Sequence, residues 1–299
     1  MGWSSASRTA PFLSLVLVTA IWGVTFVQVK DAVAIYPLFA FLAVRFMIAT
    51  ATLSVPAGRR LGGLGRRGWV SGAAVGGLLA CGYALQTAGL ERTTVSSTGF
   101  ITGMYVVLTP LLGLVLFRSP VARVTWLGVA LAMAGLALLS GVHTGGSTLG
   151  DLLVLGGAAV YALQIVVMER FAPRYDPLAL TFVEMAAAAV GLTVVAVALG
   201  QLTFPHGRTV WGALLVTGVF ASALAFLFQT WAQRRLDATR TALAFALEPV
   251  FTGIFGFALA GDRLGAAGWA GCAVILAGIV IAEPAAADLL SRLVRPRAA

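Results

Sequence analysis

Charge is what this chain has least of. Only 10% of its 299 residues are Asp, Glu, Lys or Arg, against 60% hydrophobic ones, where a soluble domain carries about a quarter charged residues. A water-facing surface wrapped round one core is therefore excluded. Segments of about ten residues alternating apolar and polar, the mark of a transmembrane β-barrel, are missing too. Two cysteines, Cys81 and Cys272, both fall in apolar runs, which excludes a disulfide framework and makes them small apolar residues. The two histidines, His143 and His206, stand apart from any cysteine or acid cluster, so neither a metal site nor another cofactor is expected. A phosphate-cradling Walker-type loop is also absent, which removes ATP as a direct driver.

What the chain does have is apolar length. Ten runs stand out, at 12–29, 37–57, 69–89, 94–117, 121–141, 149–168, 177–199, 210–232, 239–260 and 264–282. A run of about 20 residues crosses a hydrocarbon core of about 30 Å as a helix, and helices satisfy their own backbone in lipid. The formal charge of +9 sorts by side: with the N-terminus inside, Arg8, Arg59, Arg60, Arg66, Arg67, Arg118, Arg123, Arg170, Arg174, Arg234, Arg235, Arg240, Arg292, Arg295 and Arg297 share one face, 15 of the 20 basic residues. Lys30, Arg92, Arg208 and Arg263 fall on the other, and Arg45 lies within a span. This positive-inside bias puts both termini in the cytoplasm and leaves no basic surface for nucleic acid. The stretch GRRLGGLGRR (58–67) and the tail 284–299 read as orientation signals touching anionic lipid. Arg8 and the apolar run 12–18 have the layout of a signal peptide, but cleavage would delete the first span and spoil an internal symmetry.

That symmetry is a repeat. Gln86 to Arg92, QTAGLER, precedes Gln229 to Arg235, QTWAQRR, by 143 residues, and the same offset carries Trp126 and Gly128 onto Trp269 and Gly271, and Gly135 onto Gly278. Upstream, Trp69 matches Trp211, Pro37 matches Pro177, and IWG (21–23) matches VYA (160–162), so the offset drifts only from 139 to 143. Two units follow, 11–141 and 149–283, with a basic tail at 284–299. Five spans per unit is an odd number, so the second unit enters the membrane inverted. The expected fold is all-α, ten transmembrane helices as two inverted five-helix repeats, an architecture of transporters with a midplane site between the halves.

Pro37 followed by AVRF (43–46), FITGMYVVLTPLLG (100–113), ALEPVFTGIFG (246–256) and AGDRLGAAGWAG (260–271) resemble, in that order and spacing, the EamA branch of the drug/metabolite transporter superfamily, over about 11–283. The resemblance implies an exporter of amino acids or related small metabolites, with a cavity lined by spans 1, 3, 4, 6, 8 and 9. The family's glycine-acid-arginine turn is matched at Gly261, Asp262 and Arg263, while Phe117, Arg118, Ser119 and Pro120 lack the acid.

Helical spacing then picks out faces. Thr98, Thr102, Tyr105 and Thr109 form a stripe whose 143-residue counterparts are Thr241, Phe245, Glu248 and Thr252, so Glu248 occupies a face that is polar in both units. Pro249 should kink span 9 at the Phe245 carbonyl; Pro110 should act likewise in span 4, four residues out of register. Trp22, Thr25 and Gln28 line up in span 1, Tyr161 and Gln164 in span 6, Tyr83 and Gln86 in span 3, and Gln229 in span 8. Aromatics beside amides suit a partly apolar small solute. The threonines have a simpler use, bonding their own backbone four residues back. Arg45 lies about 12 Å into span 2 and Glu184 at similar depth in span 7. Each needs a partner, water or a function at about 3 kcal/mol near the bilayer centre; Arg45 has Glu248 or a substrate carboxylate to meet. Gly72/Gly76 and Gly99/Gly103 have the spacing of close helix packing.

The sequence thus points to a secondary transporter and not an enzyme: an exporter of small metabolites across the cytoplasmic membrane by alternating access, with protons, carried by Glu248, as one driving force and facilitated diffusion as the other. Uptake or exchange of a sugar- or phosphate-bearing metabolite would call for more cavity cations than Arg45. A membrane-embedded enzyme or scaffold would call for longer loops or a soluble domain.

Overall fold

The computed structural model describes residues 5–93, 95–140, 147–255, 258 and 265–283. Among them the chain is helical throughout: α1 Ser5–Val33, α2 Leu38–Leu61, α3 Gly65–Leu90, α4 Val95–Gly103, α5 Tyr105–Phe117, α6 Arg123–Ser140, α7 Thr148–Phe171, α8 Pro177–Ala198, α9 Arg208–Gly218, α10 Ala225–Ala232, α11 Ala238–Phe245, α12 Glu248–Phe255 and α13 Ala266–Ala282. Six segments are long and apolar enough to cross a membrane, and Thr9–Thr25, Arg123–Leu139 and Ala266–Ala282 are shorter apolar helices. The turn Gly261–Arg263, His143 and the basic tail lie outside the described residues. The GRRLGGLGRR stretch, expected as a loop, is mostly helix end, because α2 runs through Arg60 and α3 restarts at Gly65.

Local chemistry sets the helix ends. Asp176 caps α8, accepting from the amides of Leu178 (3.0 Å) and Ala179 (3.1 Å), with Pro177 at the first helical position, where its missing N–H costs nothing. Asp237 caps α11 through the Arg240 amide (2.9 Å), and Ser147 caps α7 through Gly150 (3.1 Å).

Two runs that read as single spans are broken at their middles. α11 gives way to α12 at Ala246 and Leu247, where Leu247 N bonds Ala244 O at 3.1 Å in a tightened turn. Pro249 explains this break, having no amide for the Phe245 carbonyl. In span 4 the break falls at Met104, between α4 and α5, and not at Val106, the carbonyl Pro110 leaves bare; α5 runs straight through that proline. Met104 is 143 residues before Leu247, so the two breaks share a register that the prolines do not. Tyr105 and Glu248 each open the half-helix beyond the break.

Close packing is made by glycine. A Cβ on Gly128 would stand 2.6 Å from the Gly278 carbonyl oxygen, and one on Gly135 would stand 2.6 Å from that of Gly271. The repeat-matched glycines of α6 and α13 therefore face each other, and the crossed pairing makes the two helices antiparallel. α2 and α8 are antiparallel as well: Arg60 pairs with Asp176 at 3.0 Å at one end, and at the other the Phe39 amide donates to Gln201 Oε1 at 3.3 Å. Gly72 and Gly76 seat α3 on α8 at Val183 and the Glu184 carbonyl, whereas Gly99 faces open space.

Candidate functional site

The segments after the breaks meet α1, α2, α3, α7 and α10 around an aromatic group. Trp22 lies 5.0 Å from Phe245 and 6.0 Å from Phe226 between ring centroids. Phe46 meets Tyr83 edge-on at 5.3 Å, and Tyr83 meets Tyr161 in the same way at 5.5 Å. Tyr161 has its place because residue 82 is glycine: a Cβ there would stand 2.6 Å from the Tyr161 ring. Its hydroxyl donates to Gln86 Oε1 at 3.0 Å, and Gln86 Nε2 donates to Thr102 Oγ1 at 2.9 Å, joining spans 3, 4 and 6.

Arg45 enters from α2 and is fixed by a distortion in span 8. Between α9 and α10, Val219–Leu224 forms a π-helical turn, a feature common at functional sites. The Ala221 carbonyl accepts from Trp22 Nε1 at 2.8 Å and from Arg45 Nη2 at 3.1 Å, while Arg45 Nε donates to Ser222 Oγ at 2.7 Å. Gly218 lets the turn come close, since a Cβ there would lie 2.7 Å from Ile48 and 3.1 Å from the Arg45 carbonyl oxygen. The guanidinium sits 5.7 Å from the ring centroids of both Phe46 and Tyr83. A guanidinium has five N–H donors, so some remain for a ligand.

Glu248 is half-buried at the first turn of α12, where the helix dipole favours an acid. Arg45, Tyr83, Tyr161 and Glu248 lie within electrostatic reach of one another, and Tyr105 within reach of Glu248. The direct Arg45–Glu248 pair entertained from the sequence does not form: no ion pair joins them among the described residues, because the Nε and Nη2 edge of Arg45 is turned to the π-turn.

Of the residues singled out by spacing, Trp22, Arg45, Tyr83, Gln86, Thr102, Tyr105, Tyr161 and Glu248 come together. Thr25 donates to its own helix at Ile21 O (2.9 Å) and Trp22 O (3.1 Å), and Thr241 and Thr252 do the same one turn back. Gln28 is exposed. Gln164 and Gln229, expected at the cavity, are 2% and 1% exposed and spend their amides on a separate buried network. Phe46, Phe226 and Ser222 were not anticipated, and Phe245 entered only as the counterpart of Thr102 in the stripe and through its carbonyl at the Pro249 kink. An apolar residue in an apolar span gives no signal, and the only hint was the small-residue run at Ala221, Ser222 and Ala223.

The two ends of the bundle differ. At the arginine-rich end, Glu169 Oε2 accepts from the Ala238 amide at 3.1 Å, and Arg240 pairs with Asp237 at 3.2 Å and with Glu283 at 3.4 Å. Arg170 donates to Ser119 Oγ at 3.3 Å over the Phe117 ring. These contacts tie α5, α7, α11 and the end of α13 together, and α11 packs against α5 and α7. The counterpart pairs, α4 with α12 and α4 with α1, have no comparable packing among the described residues.

Comparison with known proteins covers most of the chain. A family model described as the EamA-like transporter family matches residues 10–141 and again 148–282. An uncharacterized transporter of Archaeoglobus fulgidus is 31% identical over 94% of this chain and 88% of its own length. The uncharacterized inner membrane transporter YedA of Escherichia coli is 27% identical over 90% of this chain and 89% of its own. A solved crystal structure superposes with a TM-score of 0.79 at 21% identity, covering 96% of this chain and 99% of that one, a likeness of fold alone.

Proposed function

The chain belongs to the EamA-like transporter family and is a multi-pass membrane protein, and we propose that it is a secondary transporter exporting amino acids or related zwitterionic metabolites by alternating access. Its ten spans then form two inverted five-helix repeats with both termini in the cytoplasm, and the arginine-rich end is the cytoplasmic one.

The observation that carries the substrate class is the arrangement of Arg45 and Glu248. They are opposite charges within electrostatic reach, each on a different half of the chain, with no ion pair between them and an aromatic wall around them. A small zwitterion matches this: its carboxylate meets the free Arg45 N–H groups, its ammonium meets Glu248, and its side chain meets Trp22, Tyr83 and Tyr161. A phosphorylated sugar would bring two negative charges to one cation and set them against Glu248.

Three observations support the inverted repeat. The family model matches twice, the matched glycines of α6 and α13 face each other antiparallel, and the breaks in spans 4 and 9 share a register. Alternating access is supported by the unequal ends, in which α11 is closed onto α5 and α7 while the counterpart α4 pairs have no comparable packing among the described residues. Such inequality is what two symmetric units give when one of two exchangeable states is occupied.

Ligand-induced stabilisation tests the assignment. Each of the twenty common amino acids is added to purified protein and unfolding followed by heat. A true ligand at about 100 times its dissociation constant should add about 2.7 kcal/mol, and Arg45→Ala should abolish that gain for the same ligand. If no amino acid stabilises the wild type while an organophosphate does, the zwitterion reading fails.

A further inference from the structure

Outside the aromatic site, a second polar cluster is sealed between α7, α8 and α10, one helical turn nearer the arginine-rich end. Its centre is Glu184, which is 0% exposed. Its Oε1 accepts from Gln164 Nε2 at 2.8 Å, while Oε2, also buried, has no partner. Gln229 Nε2 donates to Gln164 Oε1 (3.1 Å) and to Gln233 Oε1 (3.1 Å), and Gln233 Nε2 ends the chain on the Ile165 carbonyl (2.8 Å). Beside it Thr181 donates to Thr230 at 3.0 Å, and Thr230 to Met168 Sδ at 3.8 Å. Every side chain in the set is at most 2% exposed.

Among the described residues Glu184 forms no ion pair. α3 offers Gly72 and Gly76, α7 offers Gln164, Ile165 and Met168, and α10 offers Gln229, Thr230 and Gln233. The titratable groups on neighbouring helices, Arg45 on α2, Tyr83 on α3 and Tyr161 on α7, are engaged at the aromatic site, and among the described residues none of them contacts Glu184; Glu248 stands on α12, which does not pack against α8. An ionised carboxyl so placed would be a bare charge in a low dielectric, and such groups neutralise instead. A neutral acid accepts the one amide hydrogen bond at Oε1 and leaves an unpaired O–H at Oε2 in place of a bare charge.

We propose that Glu184 is a proton-binding site distinct from the substrate site, and that its proton holds the arginine-rich end closed. This rests on the transporter reading for its purpose, though not for its test. The link to the substrate site is short: Gln164 lies three residues from Tyr161 on α7, and Gln229 three residues from Phe226 on α10. Parting α7 from α10 would pull Gln164 and Gln229 away from Glu184 and admit water, to which the proton is released. Loss of the proton while the end is closed leaves an uncompensated charge among amides, so closure weakens as pH rises. Glu248, half-buried beside Arg45, is left to the solute.

The test uses the substrate-free full chain in lipid nanodiscs. Infrared difference spectra at about pH 6 should show a protonated carboxyl band lost in Glu184→Gln and kept in Glu248→Gln. Gln164→Met, which removes the one hydrogen bond to Glu184, should shift that band without erasing it. Hydrogen–deuterium exchange of the C-terminal turns of α7 and α10, corrected for the intrinsic rate, should rise between about pH 6 and about pH 9. The rise should approach about tenfold per unit while opening releases the proton and level off once the closed form has lost it as well, and Glu184→Gln, a neutral isostere, should not respond. A band untouched by Glu184→Gln and by Gln164→Met, or a pH response that survives Glu184→Gln, overturns the proposal. No solute flux enters these measurements, so failure of the transporter reading shows separately, as a wild type that moves no solute.

Discussion

Arg45 is held by a carbonyl within a π-helical turn. The Ala221 oxygen, inside the π-turn, serves both Trp22 and Arg45, and Ser222 supplies the second contact. A hydrogen bond to a charged group contributes roughly 1.5–3 kcal/mol, so Ser222→Ala should lower thermal stability by about that amount. It should also reduce the ligand-induced gain without abolishing it, since the charge remains. A Ser222→Ala protein that binds as tightly as wild type would show that the guanidinium does not need this anchor. At this scale the sequence was legible where a polar group interrupts an apolar run: helical spacing found Trp22, Tyr83, Tyr161 and Glu248. It misjudged Gln164 and Gln229, because spacing reports which residues share a face and not what that face meets. It left the surroundings of Glu184 open for the same reason, as nothing in the sequence shows what a buried carboxyl has around it.

Among the elements, the shared register of the two breaks is the informative point. Pro249 accounts for one break, but Met104 has no proline in the matching place, so the interruption belongs to how spans 4 and 9 pack and proline merely suits it. The repeat was legible through its glycines and aromatics, and the structure gives the reason: Gly128, Gly135, Gly271 and Gly278 are where α6 and α13 touch backbone to backbone. Gly271→Leu must then force the helices apart and should cost about 3 kcal/mol or more, as overpacking of a tight interface does. Gly77→Ala on α3, where a Cβ meets nothing within 4 Å, should instead gain up to about 1 kcal/mol from helix propensity. Thermal unfolding of the two variants in one detergent checks both signs.

For the whole molecule, the asymmetry of the ends gives direction to the account. Asp237, Arg240 and Glu283 correspond in the repeat to Thr94, Ser97 and Ser140, so the ionic tie at the arginine-rich end has no charged counterpart at the other. Glu283 is 1% exposed at its side chain where Arg240 meets it. Removing one partner of such a pair is costly, about 3 kcal/mol where both are buried and less here, since Arg240 is partly exposed. Arg240→Gln should therefore shift the population toward opening at this end, read as faster exchange of the α11 and α5 amides with the opposite end unchanged. Equal change at both ends would mean simple destabilisation. The claim on which the rest depends is that the space around Arg45 and Glu248 passes a small solute across the membrane. It is tested most directly by reconstituting the purified chain into liposomes loaded with labelled amino acids and following their exit under an imposed pH gradient. The account predicts exit of at least one amino acid above protein-free liposomes, lost in Arg45→Ala. Efflux no faster than from empty liposomes for every amino acid, or efflux that Arg45→Ala leaves intact, would contradict it.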